Sequence, residues 1–277
     1  RTYFAPAIDA LADAYLEDSQ RYIDLYARRI GAYPFSEFSI VSSPLPTGLG
    51  MPTMTYLGES VLRLPFIRAT SLGHEVLHNW WGNGVYADVS RGNWAEGLTT
   101  FMADYYYKER DSADAARETR LGWLRDFAAL PRDAQAALAS FRSRTHGAAA
   151  ALGYGKAAMV FFMLRDLIGE AAFERGLRQL WESRQFSFAS WGDLRAAFEQ
   201  ASGRPLQEFF SQWIERAGGP QVRISNAAVS ERHEGIRLEL AIQQSAPAYI
   251  LRVPVEIVGA GQTDTRWIDI ENERATV

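Results

Sequence analysis

The chain has 277 residues, 47% apolar and 22% charged, values of a folded protein with length for about two domains rather than of a disordered one. Its 29 Lys and Arg against 33 Asp and Glu leave a net charge of −4, which removes the electrostatic case for nucleic acid or anionic lipid as a partner. No cysteine is present, so disulfides, thiolate nucleophiles and Cys-ligated metal sites are excluded; the four histidines are the strong nitrogen ligands that remain. The longest apolar run, residues 157–164, is bounded by Lys156 and by Arg165-Asp166 and predicts no membrane segment. The chain opens on Arg1 without a charged-then-apolar leader, so no compartment is assigned.

Residues 7–30 predict a helix, with Leu11, Tyr15, Tyr22, Leu25 and Tyr26 on one stripe and Asp9, Asp13 and Glu17 on a solvated flank; Gly31 ends it. Strands are expected at 38–41 and 53–57, separated by a Pro- and Gly-rich loop over 43–52. From 65 to 180 the pattern is helical, with breaks near 82–92, Pro131 and 147–155. Ser190 and Asp193 have the spacing of a capping box that opens a helix ending at Gly203. Leu206, Phe209, Phe210 and Trp213 then recur at helical spacing as a core-packing face after Pro205. Gly218-Gly219-Pro220 is a stop, beyond which the period becomes two. Ile236, Leu238, Leu240 and Ile242 alternate with polar or small residues, as do Leu251, Val253, Val255 and Ile257, with Pro254 marking an edge strand. The expected organisation is a mainly α domain over 1–219 and a small antiparallel, sandwich-like β module over 220–277, incomplete after a last strand near 267–270.

The segment Leu72-Gly73-His74-Glu75-Val76-Leu77-His78-Asn79-Trp80-Trp81 carries the chemistry. His74 and His78 lie one helical turn apart on one face and can chelate a single ion. Glu75 stands about 100° round the helix, where its carboxylate reaches water beside the metal without ligating it. A chance His-Glu-x-x-His arises about 0.004 times in a chain of this composition, so the pattern reads as a site rather than as two buried histidines capping carbonyls. Catalytic zinc takes three protein ligands and keeps one position open. The third is expected at the start of the next helix, where Glu96 is the only acid in Asn93-Trp94-Ala95-Glu96-Gly97. His146 and His233 sit in polar contexts and read as surface residues.

His-Glu-x-x-His followed by Trp-x-Glu-Gly resembles the gluzincin aminopeptidases, the zinc family that includes aminopeptidase N. The likeness extends to Ala32-Tyr33-Pro34-Phe35, to Gly153-Tyr154-Gly155-Lys156-Ala157 and to the ending 209–220. It implies a thermolysin-like, mainly helical catalytic domain, flanked in the family by an N-terminal β domain and by a C-terminal β module and helical domain. It also implies one Zn2+ per chain held by His74, His78 and Glu96, Glu75 as general base, and Tyr154 as hydrogen-bond donor to the developing oxyanion. On residue pattern alone Tyr154 would be a core aromatic at a helix start. The implied activity is zinc-dependent hydrolysis of a peptide or protein segment, held extended beside 53–57. The alternative from another class is a catalytically silent peptide- or protein-binding domain of the same fold.

Three departures from the family pattern stand out. The interval between His78 and Glu96 holds 17 residues where the family usually has eighteen, and Ala95 stands where Asn is common. The carboxylate that follows the ligand Glu by seven residues falls on Ala103; Asp104 is adjacent and can substitute for it, though its sequence context favours a surface position. The family's Gly-x-Met-Glu-Asn motif falls on Gly48-Leu49-Gly50-Met51, so these four are the candidate substrate-binding residues. Gly50 then replaces the Glu that binds the substrate amine, and Glu59 is the nearest acid along the chain.

Overall fold

A 3-10 turn at Pro6–Leu11 leads into α1, Ala12–Arg29. As the stripe predicts, Tyr15, Tyr22 and Tyr26 are buried while Asp9, Asp13 and Glu17 face solvent. The computed structural model describes residues 1–277 except Thr47, His146, Glu234, Ala260, Gln262 and Val277, so the reading of His146 falls outside the described residues. The chain divides into two compact units, Arg1–Ala217 and Gly218–Val277.

In the first unit β1 (Thr2–Tyr3), β2 (Ser39–Ser43), β3 (Gly48–Met51) and β4 (Met54–Gly58) form a sheet in the order β1-β2-β4-β3. β2 is parallel to β1 and β4, and β3 is antiparallel to β4 with Gly50 opposite Thr55. The expected loop over 43–52 therefore contains a strand. Its glycines and prolines argue for a loop by composition, but cross-strand pairing is made by the backbone, and Pro52-Thr53 closes the hairpin. Thr53 adopts φ 67°, a conformation that β-branched residues rarely enter. Two bonds hold it there: its N–H donates to Asn79 Oδ1 at 3.0 Å, and its carbonyl accepts from the Ser39 N–H at 2.8 Å. The turn is thus tied to the residue that follows His78.

Helices follow in the order α2 (Glu59–Leu62), α3 (Ser71–Leu77), α4 (Ala95–Thr100), α5 (Tyr106–Asp111), α6 (Ala113–Ala128), α7 (Gly147–Ala150), α8 (Ala157–Ile168), α9 (Glu170–Arg184), α10 (Trp191–Ser202) and α11 (Gln207–Phe210). A π turn at Phe101–Tyr105 joins α4 to α5, and a second at Ala151–Lys156 joins α7 to α8. The short strands β5 (Tyr86–Ala87) and β6 (Phe188–Ala189) pair in parallel. The capping box is in place: the Ser190 N–H donates to Asp193 Oδ2 at 2.7 Å, and α10 ends at Gly203 with φ 68°. Trp80, Trp81, Trp94, Phe161, Phe173 and Phe198 lie fully buried at the centre of the unit. The continuous helix Gly147–Ile168 is longer than the 157–164 run and would pass for a membrane span by length and composition. Half of it is buried within the unit, with Ala157, Ala158, Phe161 and Leu164 inaccessible, as befits a core helix.

In the second unit β7 (Val222–Arg232) pairs antiparallel with β8 (Gly235–Gln244), and β11 (Arg274–Thr276) joins the free side of β8. β9 (Leu251–Val258) and β10 (Thr263–Ile270) form a separate antiparallel pair, in which Pro254 lies opposite Trp267. Pro254 has no N–H to donate, in keeping with a strand paired on one side. Leu240, Ile242, Tyr249, Leu251 and Ile270 are buried, and the buried Gln244 amide donates to the carbonyls of Tyr249 and Asn272. His233, in the turn between β7 and β8, is exposed as expected.

Candidate metal centre

Helix α3 is short. Its last turn tightens after Leu77, and His78 stands at the C-cap with its N–H donating to the His74 carbonyl at 3.2 Å. The two imidazoles still share a face, with ring centroids 4.8 Å apart. Leu72, Val76, Leu77, Trp80 and Trp81 bury the opposite side.

Each imidazole is oriented through Nδ1. That of His78 lies 2.9 Å from the Trp81 carbonyl and that of His74 lies 2.9 Å from Asp104 Oδ2. A carbonyl only accepts, so a neutral His78 carries its proton on Nδ1 and presents a lone pair at Nε2. The carboxylate imposes the same tautomer on a neutral His74. Both Nε2 atoms face Glu96 Oε2, at 3.6 Å from His74 and 3.4 Å from His78, and the three ligand atoms lie within 4.8 Å of one another. Separations near 3.4 Å are those of ligands about 2.0–2.2 Å from a tetrahedral zinc ion. With both imidazoles neutral, three electron-pair donors converge with no proton between them, an arrangement that calls for a cation, so the residues fit the metal.

The electrostatics of the metal-free chain agree. Burial works against the His74 imidazolium, but the Asp104 carboxylate and then Glu96 outweigh it and raise the group to about 10. Burial likewise opposes the Glu96 carboxylate, yet the hydrogen bonds from His74 and His78 hold its carboxyl far below the usual range. A proton here does the work that a cation would do.

Asp104 corrects a reading of the sequence. A regular α-helix would turn Ala103 toward the site and carry Asp104 about 100° away. The π turn at Phe101–Tyr105 accommodates one extra residue and brings Asp104 onto His74 instead. Carboxylates that orient a ligating imidazole typically contribute 10–100-fold in metal affinity. Asp104→Ala is therefore expected to weaken zinc binding by ~10–100-fold, read by chelator competition, with the helix intact by circular dichroism.

Small residues set the distance between the helices. A Cβ on Gly97 would lie 2.3 Å from Ala157 Cβ and 3.2 Å from the Gly153 carbonyl, so α4 and the start of α8 approach closely between Glu96 and Tyr154. Tyr154 itself occupies the second π turn. Burial raises its phenol well above the ordinary value and the Glu96 carboxylate adds to this, while Arg144 opposes it; the hydroxyl stays a neutral donor. Glu75 points at β3: a Cβ at Gly50 would sit 2.5 Å from Glu75 Oε2 and 3.8 Å from His78 Cδ2. The structure thus gathers His74, His78, Glu96, Glu75, Tyr154 and Gly50, sets Asp104 against His74 rather than at the surface, and adds Asn79, which sequence spacing alone did not single out.

Comparison with known proteins gives the same direction. The model of the peptidase family M1 domain matches residues 68–213, more than half of the chain. Aminopeptidase N of Streptomyces lividans is 24% identical over 263 residues, covering 86% of this chain and 29% of that protein. Glutamyl aminopeptidase of Mus musculus is 24% identical over 238 residues, covering 81% and 24%. Among solved structures, an M1 zinc metallopeptidase of Deinococcus radiodurans bound to a Tyr-Ser-Ala substrate superposes with a TM-score of 0.58 at 20% identity, covering 73% of this chain and 44% of that one. The chain spans less than a third of these two curated relatives. With its family model matched across both the histidine pair and Tyr154, this chain belongs to peptidase family M1, a family that implies a zinc ion for the His74, His78 and Glu96 set.

Proposed function

We propose that this chain hydrolyses peptide bonds as a zinc metallopeptidase. The observation that carries the reading is the convergence of His74 Nε2, His78 Nε2 and Glu96 Oε2 beside one carboxylate and one phenol that are not part of the ligand set. Bound zinc would supply a Lewis acid and lower the pKa of nearby water. Glu75 takes a proton from the attacking water and returns it to the leaving amine. Tyr154 donates a hydrogen bond to the carbonyl oxygen as negative charge develops there. Tyr154→Phe is expected to lower kcat by about 10²-fold with little change in KM, the pattern of a donor used mainly in the transition state; unchanged kinetics would make Tyr154 a packing residue.

The peptide adds as a strand to the open edge of β3, along Gly48-Leu49-Gly50-Met51. This replaces the expected placement beside 53–57, because β4 is flanked by β2 and β3 and has no free edge. Glycine at position 50 leaves no carboxylate for a substrate ammonium, a bond that contributes about 1.5–3 kcal/mol where present. Peptides with free and acetylated N-termini are therefore expected to differ by less than about 10-fold in kcat/KM, and internal bonds to be cleaved; a strict requirement for the free amine would refute this. Restoring an acid is not a simple gain, since any Cβ at 50 displaces the Glu75 carboxylate. Gly50→Ala alone is expected to cost on the order of 10²-fold in turnover through the misplaced base. The strands of the second unit would then form the β module that follows the catalytic domain.

A further inference from the structure

The segment before the Tyr154 helix carries two arginines with different surroundings. Arg142 is tied into its own loop: its guanidinium donates to the carbonyls of Ala139 at 2.7 Å, Phe141 at 3.3 Å and Ser90 at 2.9 Å. Arg144 has no hydrogen-bond acceptor and no ion-pair partner among the described residues. It is exposed, and its guanidinium lies 5.8 Å from the centroid of the Tyr154 ring. A guanidinium held over an aromatic face keeps its planar fork of N–H donors available for a bidentate acceptor. Arg144 is thus a cation beside the Tyr154 ring, whereas Lys156 of the same turn lies over the Phe127 ring instead. On the other side Gly50 supplies no negative charge to attract an ammonium.

Resting on the peptidase reading above, we propose that Arg144 is a specificity-determining residue that binds a carboxylate of the peptide substrate, next to the carbonyl that Tyr154 addresses. The distribution of charge favours an anionic end of the peptide over a cationic one. Two sources share this chemistry, the C-terminal carboxylate of a short peptide and an acidic side chain.

The test is a binding measurement that does not depend on turnover. Zinc-loaded Glu75→Gln protein is titrated calorimetrically with trialanine as the free acid, with trialanine amide and with Ala-Ala-Asp amide. The free acid, the Asp peptide or both are expected to bind about 10-fold more tightly than trialanine amide, the scale of one charge-assisted pair at an accessible site; which of them does identifies the source of the carboxylate. Arg144→Gln in the same background should erase that preference and Arg144→Lys should keep part of it. Equal binding of all three peptides, or binding of none, overturns the proposal. So does a preference that survives Arg144→Gln, which would belong to the metal, or a parallel loss for acid and amide, which would mean a structural role. The peptidase reading fails separately, if the parent protein hydrolyses none of these peptides while the carboxylate preference stands.

Discussion

Glu75→Gln is expected to lower peptide turnover by ~10²–10⁴-fold, the range of a general-base contribution, with one zinc per chain retained. The reasoning is geometric. Glu75 is outside the three-atom cluster of His74, His78 and Glu96, so its loss removes no ligand. The amide fills the same space beside Gly50 and can still accept a hydrogen bond, but it cannot take a proton. Zinc content and the thermal midpoint are measured alongside the rate, to separate chemistry from folding. A binding domain of the same fold would be indifferent to this change, since peptide affinity needs no proton transfer. Turnover within a few-fold of the parent would remove Glu75 from the reaction.

His78→Ala is expected to abolish stoichiometric zinc. With two donors left the site lacks the three protein ligands of a catalytic zinc ion. One ligand's share of the roughly 10–16 kcal/mol supplied by four-ligand sites corresponds to a loss of about 10²–10³-fold. Metal analysis after dialysis reads this directly, and full occupancy in the variant would refute the ligand assignment. Protons compete for the same lone pairs. Because His74 in the metal-free chain is raised to about 10, zinc loading at neutral pH should release a proton, and affinity should fall as pH is lowered. The protonated His74 stabilises the metal-free fold in full below the unfolded value of 6.5 and ceases to do so as pH rises through about 10. Zinc is expected to raise the melting temperature most at the alkaline end of that window.

The parts that sequence made legible are those that depend on local periodicity. The tyrosine stripe of α1, the Ser190–Asp193 cap and the His74–His78 pair each follow from side chains one helical turn apart, and each is found. What stayed hidden depends on partners distant in sequence or on a change of period. Strand β3 was obscured because its glycines carry no hydrophobic alternation; its pairing with β4, from Gly48 opposite Leu57 to Met51 opposite Met54, defines it. Asp104 was obscured because a π turn has no composition signal, and a count at 3.6 residues per turn selects Ala103. Asn79 looked like an ordinary residue after the motif. Its side-chain oxygen receives the Thr53 N–H at 3.0 Å and the Tyr33 hydroxyl at 3.3 Å, which links the end of the zinc helix to the strand where the peptide is expected to lie.

The extra residue in the turn at Phe101–Tyr105 also bears on how such chains are compared. The loop from His78 to Glu96 is one residue shorter than in the resembling family, and the stretch from Glu96 to the orienting carboxylate is one residue longer. The distance along the chain from His78 to that carboxylate is therefore unchanged. The shorter loop and the longer helical stretch offset each other in length, and the π turn sets the phase at which Asp104 meets His74. An alignment that permits gaps in loops but not in helices pairs the missing acid with Ala103 and concludes that the histidine is unsupported. In this chain the acid that meets His74 stands one position after the one a regular helix would select, and the π turn absorbs that step. Helical segments with such a turn are places where a family can tolerate paired indels around a fixed site, and where an apparent absence of a residue should be sought one position along.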